Sequence, residues 1–196
     1  MIVLGITGSV GMGKTTAAKA LARLGFPVFD ADASVRELLT NHAPTIAAVR
    51  RAFPTVVRDG AVDRKALAAV VFNDAAALER LEGILHKRVR TAEKQFLAAA
   101  KKFGARMAVL DVPLLFETGG EKRVDATIVV SAPAAVQRVR VLSRRGMTAT
   151  RLRAMRARQM SDREKRRRAT FVIDTGAGKA QMTREIRRVI GILLPE

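Results

Sequence analysis

One stretch near the amino terminus constrains this chain more than any other. Gly8-Ser9-Val10-Gly11-Met12-Gly13-Lys14-Thr15 fits G-x-x-x-x-G-K-[ST], a loop that wraps an anionic phosphate chain. Its flanks fit too. Met1-Ile2-Val3-Leu4-Gly5-Ile6 is a short apolar run that reads as a buried parallel strand. Thr16 to Leu24 follows with Ala17, Ala18, Ala20, Leu21 and Ala22, which favour a helix. Glycines let the backbone turn tightly, so that successive N–H groups and the positive end of the following helix face one anion. In such a loop Gly8, Gly11, Met12, Gly13, Lys14, Thr15 and Thr16 are the candidate ATP-binding residues. Lys14 is expected to bridge the β- and γ-phosphates, and the Thr15 hydroxyl to hold Mg²⁺.

Further strands are expected at Pro27 to Phe29, Met107 to Leu110, Ala126 to Val130 and Thr170 to Ile173, each followed by helical sequence. The pattern implies an α/β fold: a five-stranded parallel sheet flanked by helices. Helices are expected over Ser34 to Leu39, Ile46 to Phe53, Asp63 to Phe72 and, from Leu78, along a helical spacing of apolar residues to near Gly104. Asp63 and Asp74 serve as caps. A basic helix is expected to run to Arg145 with Gly146 as its C-cap, Thr148 to cap the next helix, and Lys179 to Leu194 to close the chain. The stretch between the second and third strands exceeds one crossover, so it reads as a helical insertion. We expect one domain, with a core of about 1–30, 103–137 and 169–196, an insertion of about 31–102 and a lid of about 138–168.

Composition narrows the chemistry. The 196 residues carry 36 basic and 18 acidic side chains, a formal charge of +18, which favours anionic partners. Thirteen basic residues against two acids crowd Arg138 to Arg168. Tyr and Trp are absent, so stacking platforms for single strands are few and nucleic acid is not the expected partner. Cysteine is absent, which excludes disulfides and thiolate metal sites. The opening apolar run lacks the basic flank of a signal peptide, and no apolar run reaches membrane-spanning length, so a cytoplasmic protein with no membrane partner is expected.

In an open parallel sheet, ligands gather beyond the carboxyl ends of the strands. Gly8, Asp30, Asp32, Asp111, Ser131 and Asp174 all fall at such ends. Asp32 suits a base that takes a proton from an acceptor hydroxyl, with Asp30 as the alternative; a helix N-cap is the other role open to Asp32. Asp111 is a candidate Mg²⁺ ligand, directly or through water. Arg140, Arg144 and Arg145 suit a lid that closes over the triphosphate.

Along nearly its whole length the chain resembles the dephospho-coenzyme A kinases. The opening loop is similar to theirs, with Met12 where serine is usual. Asp30-Ala31-Asp32 followed by Arg36 resembles the family's Asp-Ala-Asp-x-x-x-Arg, Leu85-His86 its Leu-His-Pro (with Lys87 for the proline), and Pro113-Leu114-Leu115-Phe116-Glu117 its Pro-Leu-Leu-Phe-Glu. Gln159-Met160-Ser161 with Glu164-Lys165 is similar to the lid exit. Val172-Ile173-Asp174-Thr175-Gly176 resembles Val-Ile-Asp-Asn-x-Gly, with Thr175 for asparagine. The resemblance implies phosphorylation of the ribose 3′-hydroxyl of dephospho-coenzyme A by ATP with Mg²⁺. Asp32 would be the base, Lys14, Arg140 and Arg144 the charge-stabilising groups, Gly176 part of the ATP site, and Arg36 and His86 substrate contacts within the insertion. His86 also reads as an ordinary helix histidine. Two rivals stay open: another small-molecule or nucleotide kinase of this loop class, and a nucleic-acid-binding nucleoside triphosphatase.

Overall fold

In the computed structural model, residues 1–72, 74–157 and 159–195 are described. The element order is β1 (Ile2–Thr7), α1 (Lys14–Arg23), β2 (Val28–Asp30), α2 (Ala31–Thr40), α3 (Ala43–Ala52), β3 (Val57–Arg58), β4 (Ala61–Val62), α4 (Arg64–Phe72), α5 (Ala75–Lys102), β5 (Met107–Asp111), β6 (Ala126–Ser131), α6 (Ala134–Leu142), α7 (Ala149–Ala157), α8 (Asp162–Arg168), β7 (Phe171–Asp174) and α9 (Lys179–Leu193). Single 3₁₀ turns occupy Pro54–Val56 and Gly120–Arg123.

Five strands form one parallel sheet in the order β2-β5-β1-β6-β7. The register pairs Ile6 with Asp111, Thr7 with Val129 and Ser131 with Asp174, so these strand ends lie along one edge. The chain passes from β5 to β6 across β1, and that crossing makes the end of β1 the switch point where such sheets open a crevice. Strands β5 and β6 are buried along their whole length. That burial explains why they read as continuous apolar runs rather than alternating ones.

The chain divides into two compact units, Met1–Phe29 with Ala99–Glu196, and Asp30–Ala98. The first has its own core, built from Leu4, Ile6, Val109, Ile128 and Ile173 of the sheet with Leu21 of α1 and Ile186 of α9. The second packs Leu39, Ile46, Val49, Leu67, Leu81 and Leu85 of its helices around Phe53, Val56 and Val62.

Local chemistry explains most boundaries. The Asp30 carboxylate accepts from Ala33 N at 2.8 Å and starts α2. Asp63 accepts from Lys65 N and Ala66 N and starts α4, and Asp74 accepts from Ala77 N at the head of α5. The bond from Ala66 N holds the Asp63 carboxyl below its ordinary value. Pro44 sits in the first turn of α3, where its missing N–H leaves no bond unmade, so it begins this helix rather than only interrupting the previous one. The Asp59-Gly60 turn closes a two-stranded ladder, Val57 opposite Val62, which periodicity over two-residue strands cannot reveal.

Helices α2 and α3 each begin three residues before the expected start, and the basic helix ends three residues early. Helix α6 ends at Leu142 with Ser143 as its C-cap, not at Arg145. Gly146 belongs to the turn before α7, where its carbonyl accepts from Arg151 Nη1. Thr148 does cap α7, through Arg151 N at 3.2 Å. Arg144 and Arg145 therefore stand in the connecting turn. Basic side chains suit both a helix and an exposed turn, so composition could not separate the two.

Candidate active site

The loop after β1 is built by close packing. A β-carbon on Gly8 would lie 2.5 Å from Val130 Cγ2 and 2.8 Å from the Val130 carbonyl, so only glycine lets the loop leave the sheet here. Gly13 precedes α1 in a left-handed conformation, φ +87°, and no side chain caps that helix. Among the described residues the first N–H groups of α1 thus meet no capping side chain, which is how a helix N-terminus receives an anion. Lys14 is the first residue of α1, Thr15 is exposed beside it and Thr16 is half-buried.

Outside residues hold the loop in shape. Val10 donates its N–H to Gln159 Oε1 at 3.2 Å and accepts from Gln137 Nε2 at 2.8 Å. The Met12 N–H closes a turn onto Ser9 O, its carbonyl accepts from the Thr175 hydroxyl, and its buried sulfur accepts from Ala132 N. Met12 therefore shapes the loop, and its side chain belongs to the core. Buried Gly11 lies between these anchors.

Lys14 Nζ donates to Asp111 Oδ1, joining the start of α1 to the end of β5. Asp111 is 4% exposed. Beside the loop, Gly13, Thr16, Arg140, Arg144, Thr175 and Lys179 are among the walls of a cavity of about 360 Å³. Arg140 reaches into its rim from α6. Its guanidinium donates to Thr175 Oγ1 at 3.0 Å and to the Thr175 carbonyl at 2.7 Å. Arg144 is exposed in the turn after α6. Gly176 follows at the end of β7, with its N–H bonded to Asp174 Oδ1 at 2.7 Å. The first unit thus brings together Gly8, Gly11, Gly13, Lys14, Thr15, Thr16, Arg140, Arg144, Asp111 and Gly176.

The basic stretch divides into different roles. Lys165 on α8 is fully buried, 2.9 Å from Glu117 Oε1 and 3.3 Å from the Pro113 carbonyl. The same Glu117 oxygen accepts from Met160 N at 2.8 Å. Arg168 pairs with Glu121 and lies over the Phe116 ring. Arg167 is exposed and pairs with Glu164 one turn away. Arg158 lies outside the described residues.

The second unit holds the other candidates. Asp30 caps α2, and its second oxygen lies 3.9 Å from Arg36 Nη2. Asp32 sits in the first turn of α2, exposed, and no hydrogen bond or ion pair engages it among the described residues. Capping therefore falls to Asp30 and leaves the Asp32 carboxylate unengaged. His86 is exposed on α5 next to the buried Leu85. Sequence reasoning did not single out Gln137, nor the hydroxyl of Thr175 as a partner of Met12. The only hint was that Thr175 departs from the asparagine of the resembled motif.

Comparison with known proteins shows the family. The family model described as dephospho-CoA kinase matches residues 2–181. The dephospho-CoA kinase of Rhodopseudomonas palustris (strain ATCC BAA-98 / CGA009) is 52% identical over 190 residues, covering 97% of this chain and 94% of that one. A crystal structure from Thermus thermophilus superposes with a TM-score of 0.88 at 34% identity, covering 100% of this chain and 98% of the other. The dephospho-CoA kinase of Campylobacter jejuni shares the fold, with a TM-score of 0.67 at 23% identity over 99% and 98% of the two chains. A match over so much of the sequence, on a phosphate-binding loop of this construction, leaves one assignment: the chain belongs to the dephospho-CoA kinase family.

Proposed function

We propose that this chain transfers the γ-phosphoryl group of ATP to the ribose 3′-hydroxyl of dephospho-coenzyme A, giving ADP and coenzyme A. Family membership supports the reaction, and the uncapped α1 terminus with Lys14 at its head carries the ATP site. The backbone N–H groups of the loop and α1 receive the phosphates, while Lys14 balances charge on the β- and γ-groups. The nucleoside lies in the cavity bordered by Arg140 and Thr175. Asp32 takes the proton of the 3′-hydroxyl. The freed oxygen bonds to the γ-phosphorus as the bond to the ADP oxygen breaks, and ADP leaves with the electron pair. Arg144 compensates charge on the transferring group, and Arg36 and His86 contact the acceptor.

Mg²⁺ fits the residues present. Thr15 and Asp111 would offer it hard oxygen ligands, with phosphate oxygens and water completing the shell. When bound, the ion neutralises phosphate charge. No helix of the described residues is long and apolar enough to cross a membrane. Neither rival is favoured: the relatives at about this identity are named for one activity.

The test is an ADP-release assay over a panel of alcohol and phosphate acceptors, with the phosphorylated position read by ³¹P and ¹H NMR. Turnover confined to dephospho-coenzyme A, with the new phosphate on the 3′-oxygen, is the expected result. Equal turnover of a nucleoside monophosphate would replace this reading.

A further inference from the structure

Thr175 is 4% exposed and stands at the meeting point of three segments. Its backbone N–H donates to Ser131 O at 2.8 Å, which ties it to the end of β6. Its carbonyl and its hydroxyl both accept from the Arg140 guanidinium. A hydroxyl has one proton to give. The Met12 carbonyl lies 2.8 Å from Thr175 Oγ1 and the Ser131 carbonyl 3.2 Å, so the better-placed acceptor is in the phosphate loop. Gly13 comes so close that a β-carbon there would sit 3.1–3.3 Å from the Thr175 side chain.

The Met12 carbonyl shares a planar trans peptide with the Gly13 N–H, so the two point in opposite directions. Pinning the carbonyl outward onto Thr175 aims the Gly13 N–H the other way, toward the inside of the loop. The same hydroxyl accepts from Arg140, which borders the cavity beside the loop.

We propose that Thr175 is a positioning residue for the donor nucleotide: its hydroxyl locks the Met12–Gly13 peptide in the phosphate-binding orientation and couples that orientation to Arg140. This inference rests on the reading that ATP occupies the loop and the adjoining cavity. It predicts that the hydroxyl, rather than the bulk of the side chain, matters, and that the effect falls on ATP rather than on the acceptor.

The test compares Thr175→Val, which keeps shape and loses the hydroxyl, with Thr175→Ser, which keeps it. kcat and KM for ATP and for dephospho-coenzyme A are measured for both and for the unmodified protein, with ATP affinity by calorimetry and melting temperature alongside. Thr175→Val should raise KM and Kd for ATP about tenfold, which is roughly 1.4 kcal/mol, and leave KM for dephospho-coenzyme A within about twofold. Thr175→Ser should stay within about threefold of the unmodified protein. Substituting Arg140→Ala as well should add less than its separate effect, because the two groups act as one unit. If the valine variant does not melt cooperatively, Thr175→Ala serves in its place. Unchanged ATP affinity, equal losses in the serine and valine variants, or KM values rising equally for both substrates would each overturn the inference. Failure of the unmodified protein to turn over dephospho-coenzyme A would instead sink the proposed reaction, and the calorimetric comparison would still decide the role of Thr175.

Discussion

Lys14 Nζ and Asp111 Oδ1 are joined at the switch point of the sheet, linking the first residue of α1 to the last of β5. The pair gives the ammonium a fixed base of operations 16% exposed at the edge of the loop. Lys14→Ala should therefore lower kcat/KM by at least about 10²-fold, as for removal of a preorganised charge from a transition state. Steady-state ADP release checks this, and a cooperative thermal melt confirms that the variant is folded. Near-normal turnover would remove Lys14 from the mechanism.

Asp32→Asn should lower kcat by about 10²–10⁴-fold with ATP affinity nearly unchanged, because the amide cannot take a proton. Asp30→Asn should retain turnover, since asparagine still caps α2. Pre-steady-state rates on both variants decide between the carboxylates. The reverse pattern would make Asp30 the base.

Arg140 and Arg144 should separate in kinetics. Arg140 is tied to Thr175 beside the nucleotide cavity, so Arg140→Ala should raise KM for ATP as well as lower kcat. Arg144 is exposed in the turn, so Arg144→Ala should act mainly on kcat. Arg167→Ala removes only an exposed pair worth about 0.2–0.5 kcal/mol and should leave both constants within about twofold. Uniform small effects in all three would reduce the segment to a generic basic surface.

Glu117→Ala should be the most destabilising of these changes. It strips the carboxylate from a fully buried ammonium and the acceptor from Met160 N. Breaking a buried pair in this way costs about 3–5 kcal/mol. Urea unfolding measures it, and a loss below about 1 kcal/mol would mean that water reaches Lys165.

Much of this was legible in the sequence. The strand, loop and helix around Gly8 to Thr16 are specified by residues adjacent in the chain, and so are the Asp63, Asp74 and Thr148 caps. What sequence reading missed depends on distant partners. Thr175 reaches Met12 across 163 positions, and no local period encodes that contact. Lys165 looks like any other member of a basic run, and a seven-residue helix is too short to show which of its faces turns inward. The end of α6 was misread because the arginines around it suit helix and turn alike. The sequence points to Asp32 as the base with Asp30 as the alternative, and capping geometry gives the two carboxylates different surroundings.

The burial of Lys165 also separates two responses to ionic strength. Dissolved salt screens exposed charges over about 10 Å at 0.1 M and reaches a pair with a fully buried ammonium far less. The remaining basic surplus repels itself and attracts anions, and both effects weaken as salt is added. Raising the salt concentration should therefore slow nucleotide capture while the Lys165–Glu117 link keeps α8 fastened, so that affinity falls as the melting temperature holds or climbs.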